Sequence, residues 1–230
     1  MKKFIVFFAV FMLSLTLVAC GGKDKTATGY GLVHGHYVGV VDMTVDSKGV
    51  VKEAKIEEYY LAYNAAQVEQ PTAERNDVVQ IGANYFAKYY NVDGIIFASS
   101  GERAWTNSTH GNLENWVKDE ANAKRYVEAV LAGKVFIAKA DGTKITDLKI
   151  TGNAALDMSK SVSGYGGDRW DWKAAMAGVE QIIIGTKMDS KYSQNNDGKW
   201  VVDDVVTGAT LVDFADYYAV AQRAYATATK

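Results

Sequence analysis

The string Asp203-Asp204-Val205-Val206-Thr207-Gly208-Ala209-Thr210, near the C-terminus, holds side chains suited to a covalent chemistry. A threonine hydroxyl can be esterified by a phosphate. Gly208 has no Cβ and Ala209 the smallest one, so a phosphate and a modifying enzyme can both reach the Thr210 hydroxyl. The residues that follow read as a helix, whose free N–H groups and dipole favour a phosphate anion at its start. A plainer reading stands beside this one. Thr210-Leu211-Val212-Asp213 is a Thr-x-x-Asp pattern close to a capping box, and a helix cap alone accounts for it.

The single cysteine, Cys20, is the second reactive residue. Met1-Lys2-Lys3 forms a basic start, and sixteen uncharged residues, Phe4 to Ala19, lead to Leu17-Val18-Ala19-Cys20. That run is short for a spanning helix and ends on a small residue, as a lipoprotein signal peptide does. The expectation is cleavage after residue 19, lipidation of Cys20, and retention on the outer face of a cell membrane by more than one acyl chain of the palmitate type. With Cys20 consumed, disulfides, zinc thiolates and cysteine nucleophiles are excluded. Loss of Lys2 and Lys3 leaves 23 basic against 27 acidic residues, a balance that gives no sign of nucleic-acid binding. His34 and His36 sit two apart, a spacing that puts both on one face of a strand, but two histidines without a third ligand make no metal site. The paired acids Glu57-Glu58 and Asp203-Asp204 read as solvated surface.

Asp204-x-x-Thr207-Gly208-Ala209-Thr210 resembles the attachment motif of the FMN-binding domain family, found in sodium-pumping and electron-bifurcating membrane complexes and in extracellular electron-transfer lipoproteins. In that family the last threonine carries FMN through a phosphodiester bond. A second stretch, Gly35-His36-Tyr37-Val38-Gly39-Val40-Val41 leading to Asp46-Ser47-Lys48-Gly49-Val50-Val51, is similar to the family's N-terminal strand pair. The likeness covers about residues 35 to 60 and 134 to 225. It implies covalent FMN on Thr210, with Asp204, Thr207, Gly208 and Ala209 about the attachment point and no catalytic residue of the chain's own. It also implies a flavin transferase, a membrane electron donor such as a quinol-linked dehydrogenase, and an extracellular acceptor. Aromatics gather at Tyr165, Trp170 and Trp172, and the loop Tyr165-Gly166-Gly167-Asp168 is the first choice to face the flavin. Two other classes stay open: a flavin-dependent reductase of a small substrate, and a flavin-free ligand-binding or adhesion lipoprotein.

The elements that must position these groups read as follows. Alternation predicts strands near Tyr37 to Val45 and Val50 to Glu57 about the turn Asp46-Ser47-Lys48-Gly49, and a second hairpin over Lys134 to Ile150 about Asp141-Gly142-Thr143. Helical spacing predicts helices over Leu113 to Leu131, from Pro71 through Tyr89, over Asp171 to Ile184, and over Leu211 to Tyr225. Strands and helices are interspersed without regular crossovers, so the fold class is α+β: antiparallel hairpins and sheet packed with several helices. The organisation read is a signal peptide over 1–19, a flexible tether over 20–29 and an FMN-binding-like domain over 30–230. Residues 61–133 are an insertion or a degenerate second domain.

Overall fold

The computed structural model describes residues 22–167, 171–189, 191–197, 200–202, 205–206 and 213–230. Its centre is an antiparallel meander of β1 (Lys25–Val33), β2 (Tyr37–Val45) and β3 (Val51–Tyr60), in that order across the sheet. Pairing runs from Lys25↔Val45 to Val33↔Tyr37 on one side of β2, and from Tyr37↔Tyr60 to Val45↔Val51 on the other, with an irregularity between Thr44 and Val45. Asp46 closes the second turn: its Oδ1 accepts from Lys48 N at 2.8 Å and Val50 N at 2.9 Å, and Gly49 supplies φ +80°. The predicted hairpin is therefore present at nearly its predicted bounds.

Both faces of this sheet are covered, and the period-two alternation decides which residue meets which core. Val33, Val41, Met43, Val45, Val51 and Ile56 pack against two helices, α5 (Trp172–Ile183) and α6 (Phe214–Ala228). Tyr30, Leu32, Val38 and Val40 face a second core built chiefly by residues 61–150. α6 approaches β1 closely, because a Cβ on Gly29 would lie 2.2 Å from the Val220 carbonyl oxygen. Gly29 is thus a packing glycine, and residues 25–29 belong to a strand rather than to the flexible tether read there.

The second core is made by α1 (Ala62–Ala65) and by a small sheet of β4 (Gln67–Val68), β5 (Val78–Ile81) and β6 (Asn84–Ala87), ordered β4-β6-β5. A five-stranded sheet follows, from β7 (Tyr89–Val92), β8 (Ile95–Ala98), β9 (Thr106–Asn107), β10 (Gly111–Asn112) and β11 (Val135–Ala138), ordered β10-β9-β8-β7-β11. The helix expected from Pro71 through Tyr89 is not there. β-branched Val78, Val79 and Ile81 enter one hairpin, and Val92-Asp93-Gly94-Ile95 closes the next with Asp93 and Gly94 both at positive φ, 49° and 88°. An Asp-Gly pair between strands is a strong tight-turn signal, and it overrides an accidental helical spacing.

Leu113–Leu131 is also not one helix but two, α2 (Leu113–Trp116) and α3 (Glu120–Leu131). Asn112 and Asp119 each accept from the backbone N–H three residues on, so each starts its own helix. Of the second predicted hairpin, β11 forms and Ile145 N donates to Ile137 O at 3.0 Å, but β11 pairs chiefly with β7, and the chain then leaves to bridge Val68 through Ile150. Beyond it come α4 (Lys160–Ser163) and a three-stranded sheet of β12 (Tyr192–Gln194), β13 (Trp200–Val202) and β14 (Val205–Val206). The architecture is α+β, as the pattern predicts. Among the described residues no helix is long and apolar enough to cross a membrane.

Candidate functional site

Glu58 lies on β3 at the same parity as Ala54 and Ile56, so it points into the apolar face covered by α5 and α6. It is fully buried. A carboxylate there must be compensated, and four side chains gather to do so. Lys160, the first residue of α4, brings Nζ to 2.5 Å from Glu58 Oε2. Trp172 Nε1, at the start of α5, donates to Glu58 Oε1 at 3.1 Å, and the Tyr217 hydroxyl of α6 donates to the same oxygen. His34 Nε2 lies against the Tyr217 hydroxyl and 3.8 Å from Glu58 Oε1.

Local structure sets each of these groups. Ser159 caps α4 by accepting from Val162 N, and Gly164 ends it at φ +71°, which fixes where Lys160 starts. Asp171 caps α5 and so orients Trp172. His34 occupies the β1–β2 turn at φ +50°, a conformation that histidine tolerates better than most side chains. Its backbone N–H donates to Asp216 Oδ2 at 3.1 Å and its Nδ1 bonds the Asp213 carboxylate. The Lys160 ammonium also stands over two aromatic faces, 3.5 Å from the centroid of Tyr37 and 4.2 Å from that of Tyr165.

The result is a continuous row, Lys160–Glu58–Tyr217–His34–Asp213, from the interior to a side chain that is 37% exposed at the start of α6. Burial lowers the pKa of Lys160, and the Glu58 charge restores it only in part. Burial, then the charge of Glu58, holds the Tyr217 phenol far above its usual range, so it stays a neutral donor. That hydroxyl donates to Glu58 Oε1 and lies against His34 Nε2, so the three side chains form one hydrogen-bonded chain.

Of the residues singled out in the sequence, Tyr165 reaches this site, with its ring 6.2 Å from those of Tyr37 and Tyr60 and half buried. Cys20, Asp168, Trp170, Asp204, Thr207, Gly208, Ala209 and Thr210 lie outside the described residues. α6 begins at Phe214, and Asp213 makes no side-chain cap bond, because its carboxylate is on His34. Thr210, the other half of the Thr-x-x-Asp pattern, lies outside the described residues. His34 and His36 lie in the β1–β2 turn rather than on one strand face: His34 turns to α6, while the His36 ring packs 5.1 Å from that of Tyr63. Among the described residues no group of three or more potential ligands is arranged for a metal ion.

The reading of Glu57-Glu58 as solvated surface is overturned. Glu58 is buried, and Glu57 accepts from the Ser161 hydroxyl and, at 3.2 Å, from Ser161 N. Its sequence signal was a charge at a position whose neighbours two and four residues back face the core. Lys160 carried no such signal, since it precedes a four-residue helix. No protein-family model, no curated protein and no solved structure matches the chain.

Proposed function

We propose that the chain is a membrane-anchored surface lipoprotein that carries FMN as a phosphodiester on Thr210 and relays electrons between a membrane donor and an extracellular acceptor. The observation that carries this reading is the string Asp204-x-x-Thr207-Gly208-Ala209-Thr210, followed three residues on by Asp213, the half-exposed end of the buried row. Three residues of chain reach at most about 11 Å, so the attachment point and the row are neighbours by connectivity. When bound, FMN supplies reversible one- and two-electron transfer.

The chain's own residues fit such a group. Asp213 holds the His34 ring through Nδ1, and the Tyr217 hydroxyl, which donates to Glu58 Oε1, lies against His34 Nε2. Lys160 balances the Glu58 charge, and Tyr37 and Tyr165 offer aromatic faces beside it. A covalent bond suits a surface location, since a dissociable cofactor would be diluted away outside the cell.

The test is to purify the protein from a host that contains the flavin transferase, denature it, and follow flavin fluorescence. Flavin is expected to stay with the polypeptide. Thr210→Val abolishes it and Thr207→Val does not; free flavin, none, or loss only in Thr207→Val rejects the assignment. Saturable turnover of one small acceptor would assign a reductase instead of a carrier.

A further inference from the structure

β1 is an edge strand, and part of that edge is open. In an antiparallel pair the N–H and C=O of one residue point the same way, and successive residues alternate. The Tyr30 carbonyl accepts from Arg223 Nη1 at 2.5 Å, and Arg223 belongs to α6, outside the sheet, so Tyr30 turns its backbone away from β2. Leu32, two residues on, does the same. The next outward group, the His34 N–H, donates to Asp216 Oδ2 at 3.1 Å. α6 thus occupies the edge at Tyr30 and at His34, and among the described residues nothing takes the N–H and C=O of Leu32 between them.

A groove of about 490 Å³ runs along this stretch, lined by Gly31, Leu32 and Gly35, by α2, and by Ala219, Val220 and Arg223 of α6. An unpaired strand edge is a template for another extended chain, whose backbone supplies the missing acceptor and donor. From Tyr30 to His34 the edge is about 13 Å long at the rise of a strand, room for about three residues. Arg223 gives the direction. Its Nη1 and Nη2 bond two neutral carbonyls, those of Tyr30 and Lys118, so its charge meets no carboxylate among the described residues. It stands at the Tyr30 end, and a chain running antiparallel to β1 brings its C-terminus to that end. Gly31 keeps the space there clear, since a Cβ would lie 2.8 Å from Arg223 Nη1 and 3.0 Å from Val220 Cγ2.

We infer that this groove receives the C-terminal end of an extended peptide as one more antiparallel strand. The penultimate residue pairs with Leu32, its N–H on the Leu32 carbonyl and its carbonyl on the Leu32 N–H. The last residue lies opposite Gly31, with its side chain on the Val220 face and its carboxylate at Arg223. The site goes beyond the flavin reading and does not depend on it.

Calorimetric titration of the full lipoprotein in detergent tests this, with acetyl-Ala-Val-Leu, its C-terminal carboxamide, and two analogues N-methylated at Val or at Leu as probes. The free acid is expected to bind, and the carboxamide to bind at least about tenfold more weakly, the scale of one charge-assisted hydrogen bond. Methylating the Val nitrogen removes the bond to Leu32 and brings a similar loss. The Leu nitrogen points away from β1, so its methylation changes affinity by less than about threefold. Arg223→Gln lowers affinity for the acid to that for the carboxamide and leaves the carboxamide unchanged. The four peptides are compared on the unaltered protein, so a misfolded variant cannot imitate their pattern. No binding at millimolar concentration, equal effects of the two N-methyl groups, or equal affinity for acid and carboxamide overturns the inference; no binding together with a dimer in light scattering assigns the edge to a second copy instead.

Discussion

A buried ion pair is a weak source of stability but a severe liability once half of it is gone. Glu58 and Lys160 are both almost wholly enclosed, with side-chain exposures of 0% and 2%. Lys160→Met leaves a buried carboxylate facing two neutral donors and is expected to lower unfolding free energy by about 3–5 kcal/mol. The double variant Glu58→Gln/Lys160→Met regains most of that loss. Urea midpoints of the two variants check the pattern; equal loss in both would mean that packing, not charge, holds the site. This pair shows why the site was only partly legible. Thr210 and Cys20 announce themselves by residue type and neighbours, whereas Glu58 becomes special only through what α4, α5 and α6 bring to it from more than a hundred residues away.

At the level of elements, close approach decides as much as hydrophobic patterning. Gly29→Ala would drive a Cβ to 2.2 Å from the Val220 carbonyl and 2.7 Å from Ala224 N, both backbone atoms of α6 that cannot step aside. We expect a loss of about 1–3 kcal/mol, on the scale of other overpacked contacts, with α6 shifted off β1. A melting curve indistinguishable from the parent would refute the close contact. The helices α5 and α6 and the β2–β3 hairpin were readable because each carries a full amphipathic period and its own stop signals. Residues 78–89 were misread because four-residue strands are too short to display alternation, and Val78, Ile81, Tyr85 and Tyr89 imitate a helical stripe. The decisive sign was Asp93-Gly94, which only two-residue turns favour so strongly. The break in Leu113–Leu131 was likewise written in Asp119, a cap residue inside an apolar period.

For the molecule as a whole, the central sheet joins two cores, so a challenge to either is felt by both. Burial holds the phenols of Tyr90, Tyr126 and Tyr217 well above the ordinary 10.0. Above that pH the unfolded chain releases these protons while the folded chain keeps them; the unfolded state binds fewer, and stability falls as pH rises. An alkaline titration should show the phenolate absorbance of these tyrosines appearing together with loss of secondary structure. Full ionisation with the circular dichroism unchanged would contradict their burial. Order at the start of β1 bears on anchoring too. Lys25 is already paired in the sheet, and Asp24 is held by Lys52 at 2.7 Å. If lipid sits on Cys20, the five steps to Lys25 span at most about 18 Å. Such a leash permits neither a long swing nor a search through the surrounding medium: the protein would ride against the headgroups, meeting its donor by lateral diffusion in two dimensions.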